Sequence, residues 1–357
     1  MTIDNRSAFL VAVGDLVEPL TGSTLSQLSA QIELSNNAVT ITVGSFNKEF
    51  KDQLTGQVER LVAQYGLGDI AITILTRVPD YLVDESRENL SKVKSIIAVA
   101  SGKGGVGKSA TAANLALALA HDGAAVGLLD ADIYGPSVPI MLGVEGATPA
   151  SPDGKVMAPV AAHGIVCNSL GFIIDSDKAA VWRGPMASGA LQQLINDTQW
   201  PELDYLVIDM PPGTGDIQLT LAQKVPVSAA LVITTPQNLA LSDARRGVDM
   251  FNQVNIPVCG VVENMSFYSC EQCGHINHIF GKEGGDLLAK ETGVPLLARL
   301  PLEPSIRSDA DSGNPSVAAD PSKPVSQLYI ELARKVGAFV WSRHQAATDN
   351  VPIIEIQ

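Results

Sequence analysis

Gly102-Lys103-Gly104-Gly105-Val106-Gly107-Lys108-Ser109 is the stretch from which the fold of this chain is read. It satisfies the G-x-x-x-x-G-K-[ST] pattern, in which glycines let backbone N–H groups curl around phosphates, a lysine neutralises their charge and a hydroxyl ligates Mg²⁺. Residues 95–100 (SIIAVA) are apolar and β-branched, and residues 109–120 are rich in alanine and leucine at helical spacing. Strand, glycine loop and helix follow in the order a phosphate cradle requires. Lys108 is therefore assigned to the phosphates of ATP, Ser109 to magnesium, and Gly102, Gly104, Gly105, Val106 and Gly107 to the backbone cradle.

Two acidic motifs fall where such a site needs them. Residues 125–129 (AVGLL) read as a buried strand running into Asp130-Ala131-Asp132-Ile133-Tyr134-Gly135-Pro136-Ser137, and residues 205–208 (YLVI) as another, ending in Asp209-Met210-Pro211-Pro212-Gly213-Thr214-Gly215-Asp216. Carboxylates at the carboxyl ends of parallel strands point into the ligand crevice. An apolar strand closed by Asp is the Walker B arrangement, which places Asp209 near Mg²⁺ through a water. Gly213 is expected to offer a backbone N–H to the γ-phosphate, so that its loop senses hydrolysis. Each aspartate taken singly also suits an N-cap or a turn; three strand-end motifs in this order argue for a site.

The second lysine, Lys103, makes the loop resemble the deviant Walker A group, which includes MinD, ParA-type ATPases and the nitrogenase iron protein. The resemblance implies a face-to-face homodimer in which Lys103 of one copy reaches the phosphates held by the other. It also matches Asp132 to the aspartate that positions or deprotonates the attacking water, with Asp130 in support. A solvated loop charge is the competing reading of Lys103.

With 357 residues and 46% hydrophobic content, the chain has material for a sizeable core and for two domains. A small α+β accessory domain is expected over residues 1–77, from an alternating strand at 39–43, a helical pattern over 48–65 and a strand at 70–74. A polar linker follows over 78–94, then an ATPase domain over 95–345 and a flexible tail over 346–357. The alternation of strands and helices in the ATPase domain implies an α/β fold, a mostly parallel sheet covered by helices on both faces. A formal net charge of -14 argues against a nucleic-acid partner. No stretch approaches the ~20 apolar residues that span a bilayer, so no membrane is expected as partner and the reading is cytoplasmic.

Four cysteines are too few for a disulfide framework. Cys167 and Cys259 lie in apolar strands typical of buried, inert thiols. Cys270-Glu271-Gln272-Cys273 lies instead in a polar loop over 266–275, after the apolar strand 258–262. Two thiolates at this spacing hold two corners of one metal centre, and soft sulfur suits an iron-sulfur cluster or zinc. A second copy of the chain would supply the missing pair, so a two-fold axis would place all four on one [4Fe-4S] cluster. A rival set within one chain is Cys270, Cys273, His275 and His278, acceptable to zinc but with its second pair much closer than in a zinc finger.

These motifs, with Trp182-Arg183-Gly184-Pro185-Met186, Thr235-Pro236-Gln237 and Glu263-Asn264-Met265-Ser266, resemble the Mrp/ApbC family over residues 95–315. The family implies a P-loop ATPase that carries a [4Fe-4S] cluster from donor proteins to apo iron-sulfur proteins, and by that resemblance Asn264 contacts the adenine. The turn Val17-Glu18-Pro19-Leu20-Thr21-Gly22 is similar to one in the iron-sulfur-assembly-associated domain fused to many Mrp-type ATPases, with Glu18 where Asp is usual. That first module has no cysteine, so docking or regulation is its expected part. The alternative to a carrier is a MinD/ParA-type spatial switch with a structural zinc loop, which would need a basic face or an amphipathic anchor. Residues 325–341 show helical apolar spacing with mixed charge, which suits a helix packed on the domain's own sheet.

Overall fold

The computed structural model describes residues 3–81, 90–151, 154, 156–173 and 184–348. They form two compact units, Met1–Pro79 with Arg334–Gln357, and Asp80–Ala333.

The first unit begins with a helix that the sequence pattern did not announce, α1 (Ile3–Gly14), followed by β1 (Gln31–Leu34), β2 (Ala38–Val43), α2 (Lys48–Gln64) and β3 (Ala71–Thr76). β1 and β2 pair antiparallel, and α2 carries the chain across to a parallel β3. Asn47 starts α2 by accepting the Phe50 N–H on its side chain at 3.0 Å. Phe50, Leu54, Val58 and Val62, four residues apart, form its buried stripe. The Glu18 carboxylate closes the turn at residues 18–21, accepting the Thr21 N–H at 2.7 Å while buried to 1% exposure. Its part is that of a turn cap.

The second unit is built on β4 (Val93–Ser101), α3 (Lys108–His121), β5 (Val126–Asp130), α4 (Val138–Met141), β6 (Val160–Ala162), β7 (Ile165–Ser169), α5 (Gly184–Asp197), β8 (Leu203–Asp209) and α6 (Asp216–Lys224). It continues with β9 (Ala229–Thr234), α7 (Asn238–Gln253), β10 (Val258–Ser269), β11 (Ile276–Asn277), α8 (Gly284–Thr292), β12 (Leu296–Pro301), α9 (Pro304–Asp311), α10 (Ser316–Ala319) and the start of α11 (Pro324–Thr348), whose residues from Arg334 onward belong to the first unit. The sheet order is β11-β10-β9-β4-β8-β5-β7-β6, with β12 on β10. All pairings are parallel except β6 with β7 and β11 with β10. β5 and β9 are buried at every position, as strands covered on both faces must be. The alanine-rich α3 is likewise buried from Thr111 to Leu119, small side chains letting it lie close to its neighbours.

Three expected boundaries change. Val93 and Lys94 already belong to β4, and Val78 and Leu90 are buried, so the linker placed at 78–94 is structured at both ends; residues 82–89 lie outside those described. The ATPase domain placed at 95–345 gives up its end, because α11 from Arg334 onward clusters with the first unit. The tail placed at 346–357 is helical to Thr348, and the rest lies outside the described residues. The reason for the second change is Trp341. Its ring is buried in the first unit's core and its Nε1–H donates to the Leu28 carbonyl at 2.9 Å.

Trp341 also sets a test of this unit. A Cβ at Gly44 would stand 2.2 Å from the indole Cδ1. We expect Trp341→Ala to cost about 3–5 kcal/mol and Gly44→Ala to be destabilising as well. In chemical denaturation read from the first unit's signals, a shift of less than about 1 kcal/mol for Trp341→Ala would refute the assignment.

Candidate functional site

The central strand β4 delivers the glycine loop to the carboxyl edge of the sheet. Gly105 and Gly107 take φ of 80° and 83°, the left-handed region, and Gly107 caps α3. At Gly107 a Cβ would also stand 2.1 Å from Asn264 Nδ2, and at Gly102 it would meet the Asp243 backbone at 2.3 Å. These two glycines are therefore required by close approach. The loop and the first turn of α3 enclose a cavity of about 210 Å³, lined by Lys103, Gly104, Gly105, Lys108, Ser109, Asp132 and Pro212 among others. Ligand sites for whole small molecules are larger, commonly ~300–1,000 Å³, so this cavity matches a phosphate cradle better than a full nucleotide pocket.

Lys108 is buried at 5% exposure and contacts Asp209 Oδ1 directly, with Asp132 Oδ2 at 3.6 Å and Ser109 Oγ at 3.3 Å. The sheet register explains the crowding: Asp130 pairs with Asp209 across β5 and β8. Burial raises the Asp209 carboxyl above the usual range, and the Lys108 ammonium offsets this only in part. Its Oδ2 is buried without a hydrogen-bond partner. Burial, and then the Asp209 charge, push Asp130 up to about 7. Asp130 nevertheless organises the following loop, accepting the Asp132 and Val138 N–H groups at 3.1 Å each and the Ser169 hydroxyl at 3.0 Å. Lys103 is exposed on the lining of the cavity, and its carbonyl accepts the Ser101 hydroxyl at 2.9 Å.

Two expected contacts are differently arranged. The Gly213 N–H donates to the Ser101 carbonyl at 2.9 Å, so it is engaged within the chain rather than held open for a phosphate. The Asn264 amide donates to the Val106 carbonyl at 2.8 Å and thereby grips the glycine loop. Nothing in the local pattern around residue 264 points to that partner. Trp182 and Arg183 lie outside the described residues.

The expected loop at 266–275 is instead a hairpin. Phe267 and Tyr268, good strand formers, extend β10, which pairs antiparallel with β11 at Tyr268↔Asn277 and Ser269↔Ile276. Cys270-Glu271-Gln272-Cys273 forms the tip, closed by Gly274 N–H to the Cys270 carbonyl at 2.8 Å and Cys270 N–H to the His275 carbonyl at 3.0 Å. Backbone N–H groups of Cys273 and Gln272 lower the Cys270 thiol below its usual value, which favours the thiolate that ligates metals. Cys167 and Cys259 are fully buried and pushed up to about 12, mainly by desolvation. Among the described residues no three His, Cys, Asp or Glu side chains converge on a metal position, and His278 Nδ1–H donates to the Ser266 carbonyl at 3.0 Å. The zinc set read within one chain is thus not assembled. Nor is any described helix long and apolar enough to cross a membrane.

A central parallel strand, a left-handed glycine loop, a lysine at the start of the next helix and an aspartate closing the neighbouring strand define a P-loop nucleoside triphosphatase. Residues 92–337 match the family model described as ParA, NUBPL iron-transfer P-loop NTPase, and the chain belongs to this family. It is 61% identical over 245 residues to an iron-sulfur cluster carrier protein of Pseudomonas fragi, covering 68% of this chain and 85% of the relative. A protein of the same description from Escherichia coli K12 is 51% identical over 294 residues, 82% of this chain and 78% of the relative. Among solved structures, a nucleotide-binding protein of Archaeoglobus fulgidus in complex with ADP superposes with a TM-score of 0.58 at 33% identity, over 69% of this chain and 96% of that one.

The contrast between the four thiols is testable. In the native, cluster-free protein an alkylating reagent at neutral pH should modify Cys270 and Cys273 and spare Cys167 and Cys259, which react only after unfolding. Peptide mapping that finds Cys259 modified as fast as Cys273 would contradict the burial described.

Proposed function

We propose that this protein is an ATP-dependent carrier that holds a [4Fe-4S] cluster between the hairpins of two copies, receives it from donor proteins and passes it to apo iron-sulfur proteins. The observation that carries this reading is the placement of Cys270 and Cys273 on a hairpin tip, the first half-buried and the second exposed, while the other two cysteines are buried. One chain presents two thiolates and a cubane takes four, so two copies complete the set. The descriptions of the relatives support this cargo over the spatial-switch reading.

The cradle supports the nucleotide half of the cycle. In the structure Lys108 is held by Asp209; phosphates entering the cavity offer it more negative charge, and it turns to them. Asp209 then keeps an unpartnered buried oxygen, the Ser109 hydroxyl lies 3.3 Å from the same lysine, and the surrounding carboxylates exceed the ammonium groups, a donor set that fits Mg²⁺. Bound there, the ion would neutralise charge on the transferring phosphoryl group. Asp132, at the cavity wall, orients the attacking water and accepts its proton, while Lys103 of a second copy reaches across to the phosphates. The Gly213 N–H exchanges the Ser101 carbonyl for the γ-phosphate, which makes the loop sensitive to hydrolysis. No arginine lines the described cavity, in keeping with slow turnover.

Anaerobic reconstitution with iron and sulfide should give about four of each per dimer, lost in Cys270→Ser/Cys273→Ser. One zinc per monomer and no visible cluster spectrum would sink the proposal. Separately, Lys103→Ala should lower ATP turnover by about 10²-fold, the scale of losing one transition-state donor, while nucleotide still binds. Unchanged turnover would leave Lys103 a surface charge.

A further inference from the structure

The strand that carries the thiol hairpin breaks register at several places, and at one of them it touches the glycine loop. Pairing between β10 and β12 slips between Glu263 and Phe267, the mark of a bulge. Within it Met265 has φ of 54°, a left-handed conformation that a side-chain-bearing residue adopts only where its surroundings impose it. The neighbours supply the constraint. On one side the buried Asn264 amide donates to the Val106 carbonyl, a partner 158 residues away in sequence. On the other, the Ser266 carbonyl accepts the His278 Nδ1–H from just beyond β11, and the Ser266 hydroxyl donates to Glu263. The second Glu263 oxygen accepts the Gly285 N–H in the first turn of α8.

We infer that Asn264 is a positioning residue that couples nucleotide occupancy of the glycine loop to the conformation of the Cys270/Cys273 hairpin, with the bulge as the part that moves and His278 as its anchor on the hairpin. The acceptor of Asn264 belongs to the backbone that must wrap the phosphates. Gly107 leaves no side chain between them, since a Cβ there would collide with the amide. At 7% exposure Asn264 has little water to turn to, so a shift of the loop either moves the bulge or leaves a buried donor unpaired. From Asn264 the strand runs only to Ser269 before the first thiol, roughly 20 Å of extended chain. The bulge is the two-state element that such a coupling requires.

The inference rests on the carrier reading for the identity of the cargo alone; the coupling is a property of the cluster-free chain. Hydrogen–deuterium exchange over residues 267–279 tests it in the full-length protein, without nucleotide and with saturating magnesium and a slowly hydrolysed ATP analogue. Nucleotide should change exchange in this segment by about fivefold or more in the wild type. His278→Ala should bind nucleotide as before and lose that response, and Asn264→Ala should lose it at saturation although both variants melt cooperatively. Their double variant should be no further impaired than either single one, as for two residues on one path. Asn264→Gln, which keeps the donor, should restore part of the response. A wild-type hairpin indifferent to nucleotide, or an Asn264→Ala protein that responds like wild type at saturation, would overturn the coupling. A response that is intact in the wild type and silenced in the variants, in a protein that takes up no cluster on reconstitution, would support the coupling and remove the carrier reading instead.

Discussion

The contact between Lys108 and Asp209 is the one on which the site depends. It ties the first residue of α3 to the last residue of β8, and both side chains are almost fully buried. Removing one partner of such a pair typically costs 3–5 kcal/mol, because the other charge stays in a poorly solvated place. Set against a total stability on the order of 5–15 kcal/mol, the pair is a structural fixture of the ligand-free protein. It is also incompletely satisfied. Burial still raises the Asp209 carboxyl, and one of its oxygens has no partner. A ligand that brings phosphate for the lysine and a cation for the carboxylates therefore relieves both ends at once.

The thiol hairpin follows the opposite physical logic. Lys108 and Asp209 gain their properties from exclusion of water, whereas Cys273 lies open to it and half-buried Cys270 has its thiol lowered by nearby backbone N–H groups. The same chain holds Cys167 and Cys259 in the sheet, where desolvation makes ionisation costly and ligation unfavourable. Placement, rather than residue type, separates a thiol able to exchange metal from one that packs.

Much of the nucleotide site was legible in the sequence because its residues are chosen for local reasons. A glycine at 105 or 107 answers a left-handed φ, and an aspartate after an apolar run marks a strand end facing the crevice. The α/β alternation likewise appears as a change of hydrophobic period. What stayed hidden depends on distant partners. Asn264 reads as a turn residue until Val106 is found beside it, and Trp341 reads as the face of a helix on its own sheet until the Leu28 carbonyl is found at its ring. The hairpin at 267–277 was obscured because β11 has two residues, too short a run for alternation to register. Side-chain partners more than a hundred residues away leave no trace in a local window.

The position of Trp341 bears on how the chain acquires its structure during synthesis. The first unit has three strands and two helices completed by Thr76, yet one member of its core is an indole that lies 313 residues after Leu28. The last strand of the large sheet ends at Pro301, so the ribosome has delivered every strand of that sheet before the small unit can be sealed. Synthesis in chain order thus leaves the small unit's core one buried aromatic short until Trp341 has been made.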